Sequence, residues 1–299
     1  MSLTKLITFS SRLSPRICNS AYQIQQRSYG KNVLVEKVDH NITTIGLNRP
    51  EKRNCVNLET ARELNEALTE FENENDSPVA VLFGKGASFC AGLDLKEVSQ
   101  FPKDFDFIAS KNYDPKNDDG IGPMGPSRRI FKKPVIAAVQ GYAVAGGMEI
   151  TLACDLRVVE QSATFGIFCR RFGVPLIDGG TLRLPHLIGL SRAMDLILTG
   201  RAMKGKEAFE IGLANRLVPD GTALSAAVQL AVEISKFPQE CMNRDRMSAY
   251  YAMFSAKDWK DAVYNEMDRG LDVIHKESVG GAGRFVTGIG RHGSFKSPE

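Results

Sequence analysis

The segment Gly141-Tyr-Ala-Val-Ala-Gly-Gly-Met-Glu-Ile150 follows the apolar run Pro134 to Gly141 and indicates the order strand, glycine turn, helix. The segment Gly86-Ala-Ser-Phe-Cys-Ala-Gly-Leu-Asp-Leu95 follows another apolar run, Val79 to Gly84, in a similar way. Small residues let a backbone approach a ligand closely, and N–H groups at a helix start can bind a developing oxyanion. The two turns therefore predict either one site where both meet a single carbonyl oxygen, or two turns needed only for packing.

Short apolar runs alternate with helical periodicity through the first half of the chain. We expect strands over 33–38, 41–48, 79–84, 134–141 and 156–159, and helices over 58–74 and 150–153. Such alternation is typical of βα units, so the sequence predicts an α/β fold whose sheet is covered on both faces.

From Gly179 onward the pattern is mainly helical. We expect helices over 181–189, 191–199, 205–211, 222–236, 239–254 and 258–275, with one strand-like run over 213–218. The predicted organisation is an α/β core over 30–220 and a helical region over 221–299. Residues 101–127 are rich in Asp, Asn, Pro and Gly, and this predicts a long surface loop of the kind that either lines an active site or is mobile.

The composition of the 299 residues, with 43% apolar and 24% charged residues, is ordinary for a globular protein. The chain has no run of 18 apolar residues and no basic block, so we expect neither a membrane span nor nucleic acid as a partner. The six cysteines form no CxxC pair and the four histidines no HxxxH pair, so we expect no disulfide framework and no metal site. Free thiols are typical of a reducing compartment.

The first 35 residues contain basic residues and serines but no Asp or Glu. This composition is typical of a mitochondrial transit peptide, and Arg27-Ser28-Tyr29 resembles a cleavage site after Tyr29. We therefore expect residues 1–29 to be a transit peptide and the protein to lie in the mitochondrial matrix. The alternative is a disordered N-terminal tail.

Five motifs, in a specific order and spacing, connect the chain to a known family. They are Leu47-Asn-Arg-Pro-Glu-Lys-Arg-Asn54, Phe89-Cys-Ala-Gly-Leu-Asp94, Ala143-Val-Ala-Gly-Gly-Met-Glu149, Phe165-Gly166 and Gly179-Gly-Thr-Leu-Arg-Leu184. With them the chain, over about residues 32 to 295, resembles the crotonase family, also called the enoyl-CoA hydratase/isomerase superfamily. The resemblance implies a crotonase-like spiral of ββα units with C-terminal helices that trimerise, and hence a homotrimer or homohexamer. It also implies an acyl-CoA thioester substrate, with coenzyme A as part of the substrate and no separate cofactor.

The resemblance also assigns catalytic roles. It implies that the backbone N–H groups of Leu93 and Gly146 form the oxyanion hole, and a Cβ at Gly146 is expected to crowd the ligand. Glu149 matches the first catalytic glutamate, which handles water or a substrate proton. The alternative for Glu149 is a glutamate in the first turn of a helix, favoured there by the helix dipole.

One position departs from the family pattern. Hydratases of the family carry a second glutamate four residues after the Phe of the Phe-Gly pair, and this chain has Cys169 there. Cys169 is either a poorer acid–base partner or a small buried apolar residue. Asp178 is the nearest candidate substitute, with a loop or N-cap role as its alternative. Arg170 and Arg171 are expected to lower a neighbouring pKa or to hold Asp178, with ordinary ion pairs as the alternative.

The resemblance places substrate binding along the segments 53–56 and 93–96, together with Ala91 and Gly146. The residues concerned are Arg53, Val56, Ala91, Leu93, Asp94, Leu95, Lys96 and Gly146. Arg53 or Lys96 is expected to meet phosphate, whereas His186 and His275 are expected to be structural.

Three hypotheses for function follow. The first is hydration of a 2-enoyl-CoA through a thioester enolate. The second hypothesis is another reaction on the same enolate, namely isomerisation, decarboxylation or thioester hydrolysis, because the second glutamate is missing. The third is a non-catalytic acyl-CoA-binding or interaction protein that retains only the scaffold.

Overall fold

The computed structural model describes residues 26–28, 30–105 and 121–293. The strands of these residues form two β-sheets. Their strands are β1 (Gln26–Ser28), β2 (Val33–Val38), β3 (Ile42–Leu47), β4 (Ala80–Gly84), β5 (Val135–Val139), β6 (Tyr142–Val144), β7 (Leu156–Glu160), β8 (Thr164–Gly166), β9 (Met203–Lys204) and β10 (Arg216–Val218). The larger sheet has the order β1-β2-β3-β4-β5-β7-β10 and the smaller sheet the order β6-β8-β9. From β3 to β10 the larger sheet is parallel, whereas β1, β2 and β3 pair antiparallel.

Helices lie between the strands and predominate in the described residues after β10. They are α1 (Leu58–Asn73), α2 (Leu95–Val98), α3 (Gly146–Ala153), α4 (Gly180–Ile188), α5 (Leu190–Thr199), α6 (Gly205–Glu210), α7 (Ala223–Ser235), α8 (Gln239–Phe254), α9 (Trp259–Val273) and α10 (Val279–Val286). A π-helical turn, Ile274–Ser278, joins α9 to α10.

Both faces of the larger sheet are buried. Side chains alternate between the two faces along each strand, and each face has its own core cluster. In β5, Val135, Ala137 and Val139 belong to the main core cluster, which includes residues of α1 and α3. The intervening Ile136 and Ala138 face a second cluster, which α7 covers with three alanines. The predicted sheet with two covered faces is therefore confirmed.

The sheet positions the candidate site through its connections. After β5 the chain turns at Gly141 into β6 of the smaller sheet and then into α3. After β7 it turns again into β8, which pairs parallel with β6. Both connections lead to the same end of the structure. There the smaller sheet lies beside the turn that follows β4, where Cys90 and Ala143 form a bridge.

Several boundaries differ from the sequence predictions. Helix α3 begins at Gly146, four residues before the predicted start, because the glycine turn itself is the first turn of the helix. The predicted core boundary at residue 220 leaves out α7, which packs on the sheet. Residues 122–127, predicted to lie in a surface loop, are buried.

Other predictions concern the N-terminus and the membrane. Residues 1–25 and Tyr29 of the predicted transit peptide lie outside the described residues, and β1 pairs with β2 just before the predicted cleavage position. No helix within the described ranges is both long and apolar enough to cross a bilayer.

Candidate active site

The two glycine-rich turns lie side by side. Cys90 and Ala143 form a parallel bridge, in which the Cys90 N–H donates to Tyr142 O (2.8 Å) and the Val144 N–H to Cys90 O (3.1 Å). A Cβ built on Gly92 would lie 3.1 Å from the Gly146 nitrogen, so the glycine turn of segment 86–95 closely contacts the start of α3. The two motifs therefore meet at one site, as the first of the two sequence hypotheses requires.

Each turn presents a backbone N–H without an acceptor. Neither Leu93 N–H nor Gly146 N–H donates a hydrogen bond to any residue that the structure describes. The flanking peptides are held, since the Asp94 N–H donates to Val56 O (2.8 Å) and the Ala145 N–H to Gly166 O (2.8 Å). Fixed donors without an intramolecular partner are suited to bind an oxyanion.

Ala145 sets the direction of the second donor. Its backbone has φ 54° and ψ −128°, a conformation that glycine adopts easily and that costs an L-residue energy. This backbone directly precedes the first residue of α3, so it sets the orientation of the Gly146 N–H. A Cβ at Gly146 would lie 2.5 Å from the Met124 sulfur, so the substitution would crowd a buried side chain of the protein rather than only the ligand.

Glu149 lies one turn into α3 and is 3% exposed. Its Oε1 accepts two peptide N–H groups, from Asp178 (3.0 Å) and Gly180 (2.9 Å). Its Oε2 receives no hydrogen bond from the described part of the chain. Burial and the nearby charge of Asp178 raise the pKa of Glu149 to about 8, against the two N–H groups, which lower it.

Asp178 lies directly behind Glu149 and is 1% exposed. Its Oδ1 accepts from the Met124 N–H (3.0 Å) and from the Ser127 hydroxyl. Burial raises the pKa of Asp178, while these two hydrogen bonds oppose the shift. Met124 and Ser127 were not predicted for the site, because they follow a polar stretch without periodicity.

Cys169 lies in a 3₁₀ turn, Phe168–Phe172, and is buried. Burial, followed by the charge of Glu149, raises the pKa of its thiol, so the thiol stays protonated near neutral pH. The expectation that Arg170 and Arg171 hold Asp178 is wrong. Their guanidinium groups donate to Ile197 O (3.1 Å) and Gly200 O (3.1 Å) instead.

A cavity of about 480 Å³, which includes its opening to solvent, contains most of the predicted residues. Seven of them line it: Ala91, Leu93, Leu95, Gly146, Glu149, Cys169 and Asp178. Phe168, Phe172, Val174 and Pro175 add apolar walls. The cavity thus combines two N–H donors, one carboxyl oxygen and a mainly apolar lining.

Four predicted substrate-binding residues lie elsewhere. Val56 is in the core. Asp94 forms an ion pair with the buried Arg49 (2.8 Å), and this ion pair joins the loop after β4 to the loop after β3. The Arg53 guanidinium lies over the Tyr142 ring at 5.5 Å, and Lys96 is an exposed residue of α2. None of the four lines the cavity described above. Within the described ranges, no group of three or more potential metal ligands occurs.

The arrangement can stabilise charge on an oxygen and move a proton beside it. Each N–H of an oxyanion hole contributes about 3 kcal/mol to a transition state in a site shielded from water. A carboxyl group with a pKa of about 8 can accept or donate a proton near neutral pH. The structure therefore provides the groups that an enolate mechanism requires.

Comparisons with known proteins agree with this geometry. The family model described as enoyl-CoA hydratase/isomerase matches residues 37–284. The chain is 39% identical to enoyl-CoA hydratase EchA19 of Mycobacterium tuberculosis over 69% of this chain and 75% of that protein. It is 32% identical to the short-chain-enoyl-CoA hydratase of Clostridium acetobutylicum over 78% and 93% of the two chains.

A solved structure gives the same result for the fold. The crystal structure of an enoyl-CoA hydratase from M. tuberculosis matches with a TM-score of 0.76 and 35% identity, over 86% of this chain and 96% of that chain. The motifs, the architecture and these relatives agree with one another. The chain belongs to the enoyl-CoA hydratase/isomerase family and has the crotonase fold.

Proposed function

We propose that the protein hydrates a 2-enoyl-CoA. The observation that carries this proposal is that Glu149 Oε2 and two N–H groups without acceptors, those of Leu93 and Gly146, serve one cavity. The relatives named as enoyl-CoA hydratases support the same reaction. The thioester is the substrate, and the proposed steps require no further cofactor.

The oxyanion donors act on the thioester carbonyl. As the oxygen of a water molecule bonds to C3, the C2–C3 π electrons move toward the carbonyl, and negative charge collects on its oxygen. The N–H groups of Leu93 and Gly146 stabilise this enolate. They are fixed before the reaction, so little reorganisation is needed as the charge develops.

Glu149 handles the proton. In its ionised form, Oε2 accepts a proton from the attacking water and then returns it to C2 of the enolate. One water is thereby added, with OH at C3 and H at C2, and the carboxylate is regenerated. A single carboxyl group is sufficient in this scheme, and the protonated thiol of Cys169 remains a wall of the cavity.

The test is a direct assay with residues 30–299 and crotonyl-CoA, together with longer enoyl-CoA esters. Loss of the conjugated thioester absorbance follows the reaction, and mass spectrometry identifies the 3-hydroxyacyl product. We expect Glu149→Gln to lower kcat by at least about 100-fold, the size typical of a lost general base. Cys169→Ser serves as the matched control and should retain most activity. Hydration that survives Glu149→Gln would contradict the proposal.

A second candidate is migration of the double bond of an enoyl-CoA. It is favoured by the position of Glu149, whose Oε2 is available to the cavity, since one base can carry a proton between C2 and C4 of a dienolate. A 3-enoyl-CoA distinguishes the reactions. Conversion to the 2-enoyl ester without hydration would favour isomerisation.

Assembly and location are also proposals. Apolar side chains are exposed on α5 and α9, among them Leu190, Leu198, Trp259 and Tyr264, and they support a homotrimer or homohexamer. Light scattering after size-exclusion chromatography measures the mass of the assembly.

The basic, acid-free N-terminus supports import into the mitochondrial matrix. A fluorescent fusion carrying residues 1–35, with a matched fusion in which Arg12 and Arg16 are Glu, tests import.

A further inference from the structure

A chain of buried polar groups behind Glu149 has no part in the proposed steps. The Asp178 peptide N–H donates to Glu149 Oε1 at 3.0 Å, and the Asp178 carboxylate accepts the Ser127 hydroxyl. Asp178 and Ser127 are each 1% exposed. The polar groups therefore connect the reactive carboxyl group to the segment 122–127 through one buried residue.

One oxygen of the Asp178 side chain is committed to contacts within the protein. Its Oδ1 is held by Met124 N–H and by Ser127, and a Cβ on Gly122 would overlap this oxygen. Segment 122–127 thus encloses the oxygen. A carboxylate held in this way is a poor candidate for the missing second acid, which was the role expected from the sequence.

We propose that Asp178 is a positioning residue that, held by Ser127, fixes the Glu149 carboxyl group with Oε2 toward the cavity and controls when that oxygen carries a proton. The peptide N–H of Asp178 and that of Gly180 bind the same Glu149 oxygen, so Oε1 is occupied and Oε2 is the one left for chemistry. This inference rests on the role of Glu149 in the proposed function.

The charges around the pair support control of protonation. Glu149 faces Asp178, Arg183 and Cys169, and Asp178 faces Arg128 and Arg183. Arg183 donates to the carbonyl oxygens of Ser127 and Arg129 rather than to either carboxylate. Two buried carboxyl groups repel when both are charged, so the charge on Asp178 keeps a proton on Glu149 to higher pH.

The first test is Asp178→Asn, which keeps the peptide N–H and the shape of the side chain but removes the charge. We expect the titration of Glu149 to move toward lower pH by about one unit or more. Infrared difference spectra of the protonated carboxyl band, assigned by its loss in Glu149→Gln, measure this titration without substrate. The pH dependence of kcat should shift in the same direction, with KM nearly unchanged.

The second test is Ser127→Ala. Without the hydroxyl the charged form of Asp178 is less stable, so Asp178 holds its proton to higher pH and repels Glu149 less. We expect a smaller shift of the Glu149 titration toward lower pH. The matched control is Ser77→Ala, which removes another hydroxyl from a residue 1% exposed, bonded to Thr43 at 2.6 Å and outside the cavity. It should lower stability and leave the titration unchanged.

Two results would overturn the inference. One is a folded Asp178→Asn protein whose Glu149 band titrates as in the wild type. The other is a folded Asp178→Asn protein that binds acetyl-CoA but has no activity at any pH, because that result assigns proton transfer to Asp178 itself. If Asp178→Asn does not fold, Ser127→Ala decides. A wild type that hydrates no ester refutes the proposed function, while the infrared titration still tests the link between the two carboxyl groups.

Discussion

Replacing Glu149 with Gln should make the stability of the protein less dependent on pH. Folding raises the pKa of this carboxyl group from its ordinary value of 4.5 to about 8, chiefly because burial removes water from the charged form. The folded protein therefore binds this proton more tightly than the unfolded chain does. Its contribution to stability is fully present below pH 4.5 and is lost as the pH rises toward 8.

The magnitude follows from the same shift. Each pH unit between the two pKa values corresponds to about 1.4 kcal/mol, so the interval from 4.5 to about 8 gives an upper limit of about 5 kcal/mol. Because the titrations of Glu149 and Asp178 influence each other, we expect a fall of about 2 to 5 kcal/mol in the wild type. Gln does not ionise, and its carbonyl oxygen can still accept the N–H groups of Asp178 and Gly180.

The assay is urea unfolding at several pH values between about 5 and 8, followed by circular dichroism. Protein concentration is held constant, because subunit association also contributes to apparent stability. The control is Glu210→Gln, which removes one charge from a side chain of α6 that is 59% exposed. The difference in free energy between Glu149→Gln and the wild type should increase with pH, whereas the Glu210→Gln difference should stay level. A Glu149→Gln difference that is constant within about 0.5 kcal/mol would refute the reasoning.

Three further substitutions test the backbone and the ion pair that build the site, each by urea unfolding. Ala145→Gly should raise the free energy of unfolding by about 1 kcal/mol, because glycine adopts φ 54° without strain; a loss of stability would contradict this. Gly147→Ala should destabilise by more than about 3 kcal/mol, since its Cβ would overlap a main-chain oxygen of the neighbouring turn, whereas Gly270→Ala in α9 meets open space and should stabilise by about 1 kcal/mol. Asp94→Asn should cost about 3 kcal/mol because it leaves the buried Arg49 charge unpaired, and a cost below about 1 kcal/mol would show that solvent compensates.

The larger sheet could be predicted because its strands leave a clear signal. Buried parallel strands such as β4 and β5 are short, continuous apolar runs between turn residues, and α1 has regular apolar spacing. The smaller sheet gives no such signal. Its strands have two or three residues each, and they are held by long-range pairing rather than by local periodicity.

The sequence predicted only those parts of the site that lie in recognisable motifs. The glycine turns and Glu149 stand out in the sequence, and the structure brings them together at one cavity. Ser127 could not be found, since it depends on how segment 122–127 folds back onto Asp178. The expected contact of the Arg170 and Arg171 side chains with Asp178 failed for a related reason, because sequence neighbours in a 3₁₀ turn point in different directions. The expected effect on a neighbouring pKa is present, since the charge of Arg170 lowers the pKa of Cys169 against the larger effect of burial.

The proposed oxyanion donors are peptide groups, and this would separate the reaction from the choice of substrate. The Leu93 N–H is fixed by the backbone of its turn, and Leu93 is one of the residues that line the cavity. Exchange of its side chain therefore leaves the N–H donor in place. Position 93, with Ala91 and Phe172, which also line the cavity, is therefore a starting point for variant libraries that change substrate selectivity while both peptide N–H groups are kept.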